Sequence, residues 1–123
     1  GLKGGPAMGG GAGLIMFAND AAGHAKTTAF VTDGQLSGLC LKGLTVAEVH
    51  PEAATGGPIG KVRDGDTIRI SVANRSIDID VPADELAARE GPGYLIEATG
   101  YLSSFRQDVR DMSTGGVLLP PSC

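Results

Sequence analysis

The sequence predicts a domain of mixed α and β structure, in which strands early and in the middle of the chain are surrounded by helices. Residues 66–72 (DTIRISV) and 76–81 (SIDIDV) alternate apolar and polar side chains, which predicts a half-buried β-hairpin turning at residues 73–75. Residues 27–32 (TTAFVT) are rich in β-branched side chains and are bounded by glycine-containing turns, as in a buried strand. From residue 94 to residue 112, apolar side chains recur every three or four positions, which is one face of an amphipathic helix. We therefore expect a β-barrel or curved sheet with peripheral helices.

The remaining segments complete this picture. Residues 44–49 (LTVAEV) favour a second strand, and the short apolar run LIMFA at 14–18 favours a helix although periodicity does not assign it. Residues 83–90 (ADELAARE) predict a short helix that ends at the glycines after it. Gly100 weakens the last helix by about 1 kcal/mol relative to alanine and favours a break there. Residues 113–123 are expected to form a terminal tail.

The composition narrows the class of protein. The chain has 123 residues, 41% of them hydrophobic, and no apolar run approaches the roughly 18 residues of a membrane span. Its formal net charge is −4 with scattered basic residues, which argues against a nucleic-acid partner and favours small molecules or proteins. Cys40 and Cys123 form neither a metal-spaced pair nor a disulfide framework, so a reducing, cytoplasmic setting is expected.

Glycine is the large deviation, with 20 residues that cluster towards the start of the chain. Residues 1–13 are therefore either a flexible loop or a surface that a ligand's atoms approach closely. Within them, the KGGP stretch at 3–6 offers backbone N–H groups that suit a carboxylate or phosphate, but it lacks the ending of a Walker loop.

Ser37, in the stretch VTDGQLSGLCLKG, is the candidate reactive group. It follows a strand and an Asp-Gly turn, and a serine hydroxyl needs a neighbouring base, metal or positive charge to lose its proton. The glycines of a nucleophile elbow would stand at positions 35 and 39, which Gln35 and Leu39 occupy. Spacing alone thus favours an ordinary loop or capping serine.

The other titratable residues favour structural roles. His24 and His50 each have an acidic neighbour in sequence but no third ligand nearby, so neither predicts a metal site. Four aspartates are explained by a turn or by the wet face of the hairpin, namely Asp64, Asp66, Asp78 and Asp80.

Four ordered motifs together resemble a known family. They are KGGPAM at 3–8, TDGQLSG at 32–38, HPEAATGGPIGKVRDGDTIRI at 50–70 and DELAARE at 84–90. Over nearly the whole chain, this order resembles the C-terminal domain of the dihydroxy-acid dehydratase and phosphogluconate dehydratase family, which includes sugar-acid dehydratases.

The resemblance implies a swivelling-type β-barrel domain that packs on a larger N-terminal domain. It implies a hydro-lyase that removes water from a 2,3-dihydroxy acid or sugar acid to give a 2-keto acid, in amino-acid biosynthesis or sugar-acid catabolism. It also implies an iron-sulfur cluster and a magnesium ion in the full-length enzyme, which is expected to be a homo-oligomer. In the family the serine of the Asp-Gly-x-x-Ser-Gly motif is the proposed base that takes the C2 proton, and Ser37 holds that position. The positions that match the substrate-binding motifs are Lys3, Gly4, Gly5, Asp33, Gly34 and Gly38.

Some features depart from the family pattern. In the family the cluster cysteines lie in the N-terminal domain, and the magnesium-binding glutamate is expected just before the loop that begins here at Gly1. Leu2 stands where the family usually has a proline. We therefore expect one domain over residues 1–123 that binds no metal alone and has no dehydratase activity alone. The competing interpretations are a non-catalytic swivelling domain that binds a partner, and a phosphohistidine carrier that uses His24.

Overall fold

The computed structural model describes residues 1–5, 10–38, 42–91 and 99–118. Three helices and four strands lie in these ranges. In chain order they are α1 (Gly10–Ala21), β1 (Ala29–Val31), β2 (Leu44–Val46), β3 (Ile68–Ser71), β4 (Ser76–Ile79), α2 (Ala83–Ala88) and α3 (Tyr101–Asp108). Short 3₁₀ turns at Ala53–Thr55, Pro58–Lys61 and Met112–Thr114 connect them.

Strands β1 and β2 pair in parallel, with Ala29 opposite Leu44 and Val31 opposite Val46. The pairing continues past the strands, because the Val49 N–H donates to the Thr32 carbonyl at 3.1 Å. The loop that carries Ser37 leaves the sheet at this end, as a parallel pair requires a crossover rather than a tight turn.

Strands β3 and β4 form the antiparallel hairpin that the alternating pattern predicts. Ile68 pairs with Ile79 and Ile70 with Ile77, so that all four isoleucines share one half-buried face. The turn spans residues 72–75, and Arg75 adopts a left-handed φ of 52° there.

Local chemistry explains where α2 and α3 begin, but it does not explain the start of α1. Helix α1 contains the LIMFA run but begins earlier, at Gly10, within the glycine-rich segment. Helix α2 carries Asp84 and Glu85 in its first turn, where the unpaired N–H groups favour negative charge. Helix α3 begins directly after Gly100, whose φ of 62° is a left-handed conformation. The part of the predicted helix at residues 94–98 lies outside the described residues.

Few large side chains are fully buried in the described ranges. Met16 of α1 and Val109 after α3 are at most 1% exposed. Met16 packs on the Gly43 turn, where a methyl group added to Gly43 would lie 2.8 Å from Met16 Cε. In the same ranges the strands form two two-stranded sheets and no closed barrel. The mixed α and β class is therefore confirmed, and the barrel stays a prediction.

Residues 109–118 fold back on themselves. Val109 and Leu118 form an antiparallel bridge, and the Arg110 N–H donates to the Val117 carbonyl at 3.0 Å. The last five residues, 119–123, lie outside the described part of the chain, as does Cys40. Of the helices that the structure describes, none has both the length and the apolar character needed to cross a bilayer.

Candidate functional site

Three of the ordered motifs meet in one place. The turn Gly1–Gly5 is closed by a hydrogen bond of 2.9 Å from the Gly5 N–H to the Gly1 carbonyl. Asp33, from the loop after β1, and Glu52, at the start of the 3₁₀ turn Ala53–Thr55, both point their carboxylates at this turn. We call these residues, 1–5, 33–34 and 52–53, the loop cluster.

Glu52 is the buried acidic residue of the loop cluster, with 7% of its surface exposed. Its Oε1 accepts a hydrogen bond of 2.7 Å from the Lys3 backbone N–H, and its Oε2 lies 3.2 Å from the Gly1 nitrogen. A methyl group on Gly1 would lie only 1.4 Å from Oε2. Position 1 therefore requires glycine for the turn to sit on this carboxylate.

Asp33 is held from two sides. Its Oδ1 lies 3.0 Å from the Gly1 nitrogen, and its Oδ2 accepts a hydrogen bond of 2.8 Å from the Ala53 N–H. Partial burial would raise the pKa of the Asp33 carboxyl, but the hydrogen bonds from Ala53 and from the Gly1 amino group outweigh it. The pKa of Asp33 therefore lies below its ordinary value, and the residue is a carboxylate at neutral pH.

The loop that leads to Ser37 starts at Gly34, whose backbone is held by hydrogen bonds on both sides. The Gly34 N–H donates to the Thr32 hydroxyl at 3.0 Å, and the Gly34 carbonyl accepts from the Glu48 N–H at 3.1 Å. Ser37 follows three residues later and is half-buried, and the next residue, Gly38, is exposed. The structure thus brings Asp33 and Gly34 to the Gly1–Gly5 turn, and it places Ser37 and Gly38 further along the same loop.

The turn Gly1–Gly5 is also tied to helix α3. The Lys3 ammonium donates to the Arg106 carbonyl at 3.1 Å, and the Arg106 guanidinium donates to the Gly4 carbonyl at 3.2 Å. The predicted binding residue Lys3 therefore makes contacts through both its backbone and its side chain.

Sequence reasoning did not select Glu52. Its partners Gly1 and Lys3 are about fifty positions away in sequence, so no local spacing indicates the contacts. The available signal was an acidic residue between Pro51 and Ala53 in the stretch PEAATGG, residues 51–57, whose other residues are small.

The space enclosed behind the loop cluster is small. Its volume is about 10 Å³, which is room for about one water molecule. It is lined by Leu2, Lys3, Asp33, Val49, His50, Glu52, Arg110, Asp111 and Met112. This space therefore has no room for an organic ligand.

The other polar candidates lie apart from this site. His24 is exposed and lies three residues after the last residue of α1. Asp66 binds Arg89, and Asp80 binds Arg69 at 2.6 Å, so both pairs are structural. Among the described residues, no group of three or more His, Cys, Asp or Glu side chains is arranged to hold a metal ion.

Comparison with known proteins identifies the class to which this fold and site belong. The family described as Dihydroxy-acid/6-phosphogluconate dehydratase C-terminal matches residues 1–116, and the chain therefore belongs to this family. Among curated proteins, the chain is 46% identical over 95 residues to a protein named dihydroxy-acid dehydratase from Pyrococcus furiosus. The match covers 76% of this chain and 17% of that relative, so the chain spans a small part of the relative's length.

Proposed function

We propose that this chain is the C-terminal domain of a hydro-lyase that dehydrates a 2,3-dihydroxy acid or a sugar acid to a 2-keto acid. The family match over residues 1–116 supports the class of enzyme. The observation that carries the proposal further is the loop cluster, because it joins the KGGP turn to the start of the loop that bears Ser37. Two segments that are thirty residues apart thereby contribute to one surface.

In the full-length protein, we expect this domain to be a swivelling-type β-barrel flanked by helices that packs on a larger N-terminal domain. Its expected partners are a small-molecule acid, the N-terminal domain of the same protein and further copies of that protein. The expected location is the cytoplasm. These expectations rest on the family and on the 17% of the relative that the chain spans.

The described residues do not fit an iron-sulfur cluster or a magnesium ion. The carboxylates of Asp33 and Glu52 are engaged by backbone N–H groups and by the Gly1 nitrogen, and no third ligand joins them in the described ranges. We therefore place both cofactors of the full-length enzyme on residues outside this set.

Within this chain, the proposed base is Ser37, whose hydroxyl would first lose its proton and, as an alkoxide, would then accept the proton from C2 of the substrate. A serine oxygen does this only when positive charge next to it lowers its pKa, and that charge would come from outside the chain. Gly5 and Gly38 leave open space, since a methyl group at either position would contact no atom of the described chain within 4 Å. Their backbone is therefore accessible to the carboxylate and hydroxyl groups of an acid.

Ser37→Ala in the full-length enzyme tests this role. A positioned general base contributes about 10²- to 10⁴-fold to rate, so kcat is expected to fall by that factor. The cluster absorption spectrum and the thermal unfolding midpoint should stay unchanged. A matched control is Ser104→Ala, which removes the same hydroxyl from an exposed position on α3 and should leave kcat intact.

A Ser37→Ala enzyme with more than a third of the wild-type kcat would return Ser37 to the role of a loop serine. A full-length protein that binds a partner but dehydrates no acid would favour the non-catalytic interpretation. The phosphohistidine carrier is disfavoured because His24 follows the carbonyl end of α1, where the helix dipole repels a phosphate.

A further inference from the structure

We propose that Glu52 is a positioning residue that fixes the Gly1–Gly5 turn against the Asp33 loop, and so sets the spacing of the two substrate-facing segments. The effect of Glu52 on catalysis rests on the proposed function. The contacts by which Glu52 holds the two segments do not depend on that function.

The burial of Glu52 is the first argument. A carboxylate that is 7% exposed loses most of its hydration, which is costly unless hydrogen bonds replace the lost water. Both of its oxygens have partners, and both partners belong to the same turn, at Lys3 and Gly1. Both carboxylate oxygens of Glu52 therefore bind the Gly1–Gly5 turn.

The neighbour of Glu52 in sequence supplies the second argument. Ala53 donates its backbone N–H to Asp33, while Glu52 accepts from the Gly1–Gly5 turn. Adjacent residues thus hold the two segments, one through its side chain and the other through its backbone. The Gly1 nitrogen lies near both carboxylates, at 3.0 Å from Asp33 Oδ1 and 3.2 Å from Glu52 Oε2.

The backbone of Glu52 is itself firmly held. Its carbonyl accepts hydrogen bonds from the Thr55 N–H at 3.0 Å, the Thr55 hydroxyl at 3.0 Å and the Gly57 N–H at 2.9 Å. A side chain on such a fixed backbone holds its partners with little freedom, which is the supporting role that a preorganised site needs. Misplacing a reacting group by about 1 Å can cost about 10²-fold in rate.

The decisive experiment compares Glu52→Gln with Glu90→Gln in the full-length protein. Glutamine keeps the shape of Glu52 but has one acceptor oxygen, so it serves either the Lys3 N–H or the Gly1 nitrogen. Glu90 is exposed and undergoes the same chemical change away from the loop cluster. Glu52→Asp, which keeps the charge on a shorter side chain, is the second variant.

The expected result for Glu52→Gln is a local one. Hydrogen exchange, measured by mass spectrometry, should accelerate at least tenfold in peptides covering residues 1–5 and 33–38 and stay unchanged in the hairpin at 68–79. The value of kcat/KM should fall about 10- to 100-fold, with Glu52→Asp intermediate and Glu90→Gln at the wild-type value.

Two results would overturn the proposal. One is unchanged exchange in both loop peptides together with kcat/KM within twofold of wild type. The other is accelerated exchange that includes the hairpin equally, since that indicates general loss of stability rather than positioning. If the wild-type protein dehydrates no acid, the proposed function fails, while the exchange pattern still decides whether Glu52 holds the two segments together.

Discussion

At the scale of single residues, Gly57 shows how closely the backbone packs around the loop cluster. Gly57 is buried, and a methyl group there would lie 1.8 Å from the Pro51 carbonyl oxygen. Because the clash is with backbone rather than with a flexible side chain, the loop cannot relieve it by a change of rotamer.

Gly57→Ala is therefore expected to destabilise the chain by about 3 kcal/mol, at the upper end of the cost of overpacking. Urea denaturation of the 123-residue chain measures the change. Gly91→Ala is the matched control, because Gly91 is exposed and has no described atom near the new methyl group, and its effect should stay within about 0.5 kcal/mol. Equal midpoints for the two variants would show that the loop at 51–57 is not packed as described.

The residue scale also shows where sequence reasoning reached its limit. The position of Ser37 in the loop follows from a motif, whereas its role as a base stays a prediction that spacing along the chain cannot test. Glu52 was missed because its contacts join positions about fifty residues apart. Residue type and spacing indicate local structure, whereas a contact between two loops depends on the whole fold.

At the scale of elements, Arg89 joins the end of α2 to the turn that precedes the hairpin. Its guanidinium binds both carboxylate oxygens of Asp66, one of them at 3.0 Å, and it also binds Glu85 at 2.7 Å. It donates to the Lys61 carbonyl as well, at 3.2 Å. A planar guanidinium suits this arrangement, because it offers several donors in a fixed fork.

This ion pair should make the stability of the chain sensitive to acid. The hydrogen bonds from Arg89, followed by the bond from the Arg63 N–H, hold the pKa of the Asp66 carboxyl below its ordinary value of 3.8. Asp66 therefore stabilises the folded state fully at pH values above its unfolded pKa, and this stabilisation is lost as the pH falls through the lower folded pKa.

Asp66→Asn is expected to lower the urea midpoint at pH 7, and its difference from wild type should shrink as the pH falls below 3.8. Asp64→Asn, an exposed change in the same turn, should give a smaller difference at every pH. A gap between wild type and Asp66→Asn that is the same at pH 7 and pH 3 would contradict the assigned role of the ion pair.

The elements differ in how well the sequence predicts them. The hairpin was predictable because alternation of apolar and polar side chains follows directly from the geometry of a strand with one buried face. The start of α1 at Gly10 was not, since glycine disfavours helices by about 1 kcal/mol per residue and gave no signal of one. The closure of the strands into a barrel depends on pairing between distant segments, which periodicity does not encode.

At the scale of the whole molecule, several large apolar side chains of the described residues are exposed. Leu14 of α1 and Tyr101 of α3 are each 73% exposed, and only Met16 and Val109 are fully buried among the large side chains described. The chain spans 17% of the relative's length, and we predict that dehydratase activity requires the remaining sequence.

The isolated 123-residue chain is accordingly predicted to form no 2-keto acid from a sugar acid or a dihydroxy acid. A coupled assay of keto-acid formation with the purified chain, run beside the full-length protein, checks this. Turnover by the isolated chain above the buffer blank would contradict the view that the activating charges lie outside it.

The contact between Leu2 and the Gly116 turn suggests where the order of the segments along the chain can be changed. A methyl group on Gly116 would lie 2.7 Å from Leu2 Cδ1, so the first and last described segments touch. A circular permutant could therefore join these two segments by a short peptide and open at the exposed turn 72–75, because chain ends that lie close together tolerate such rewiring.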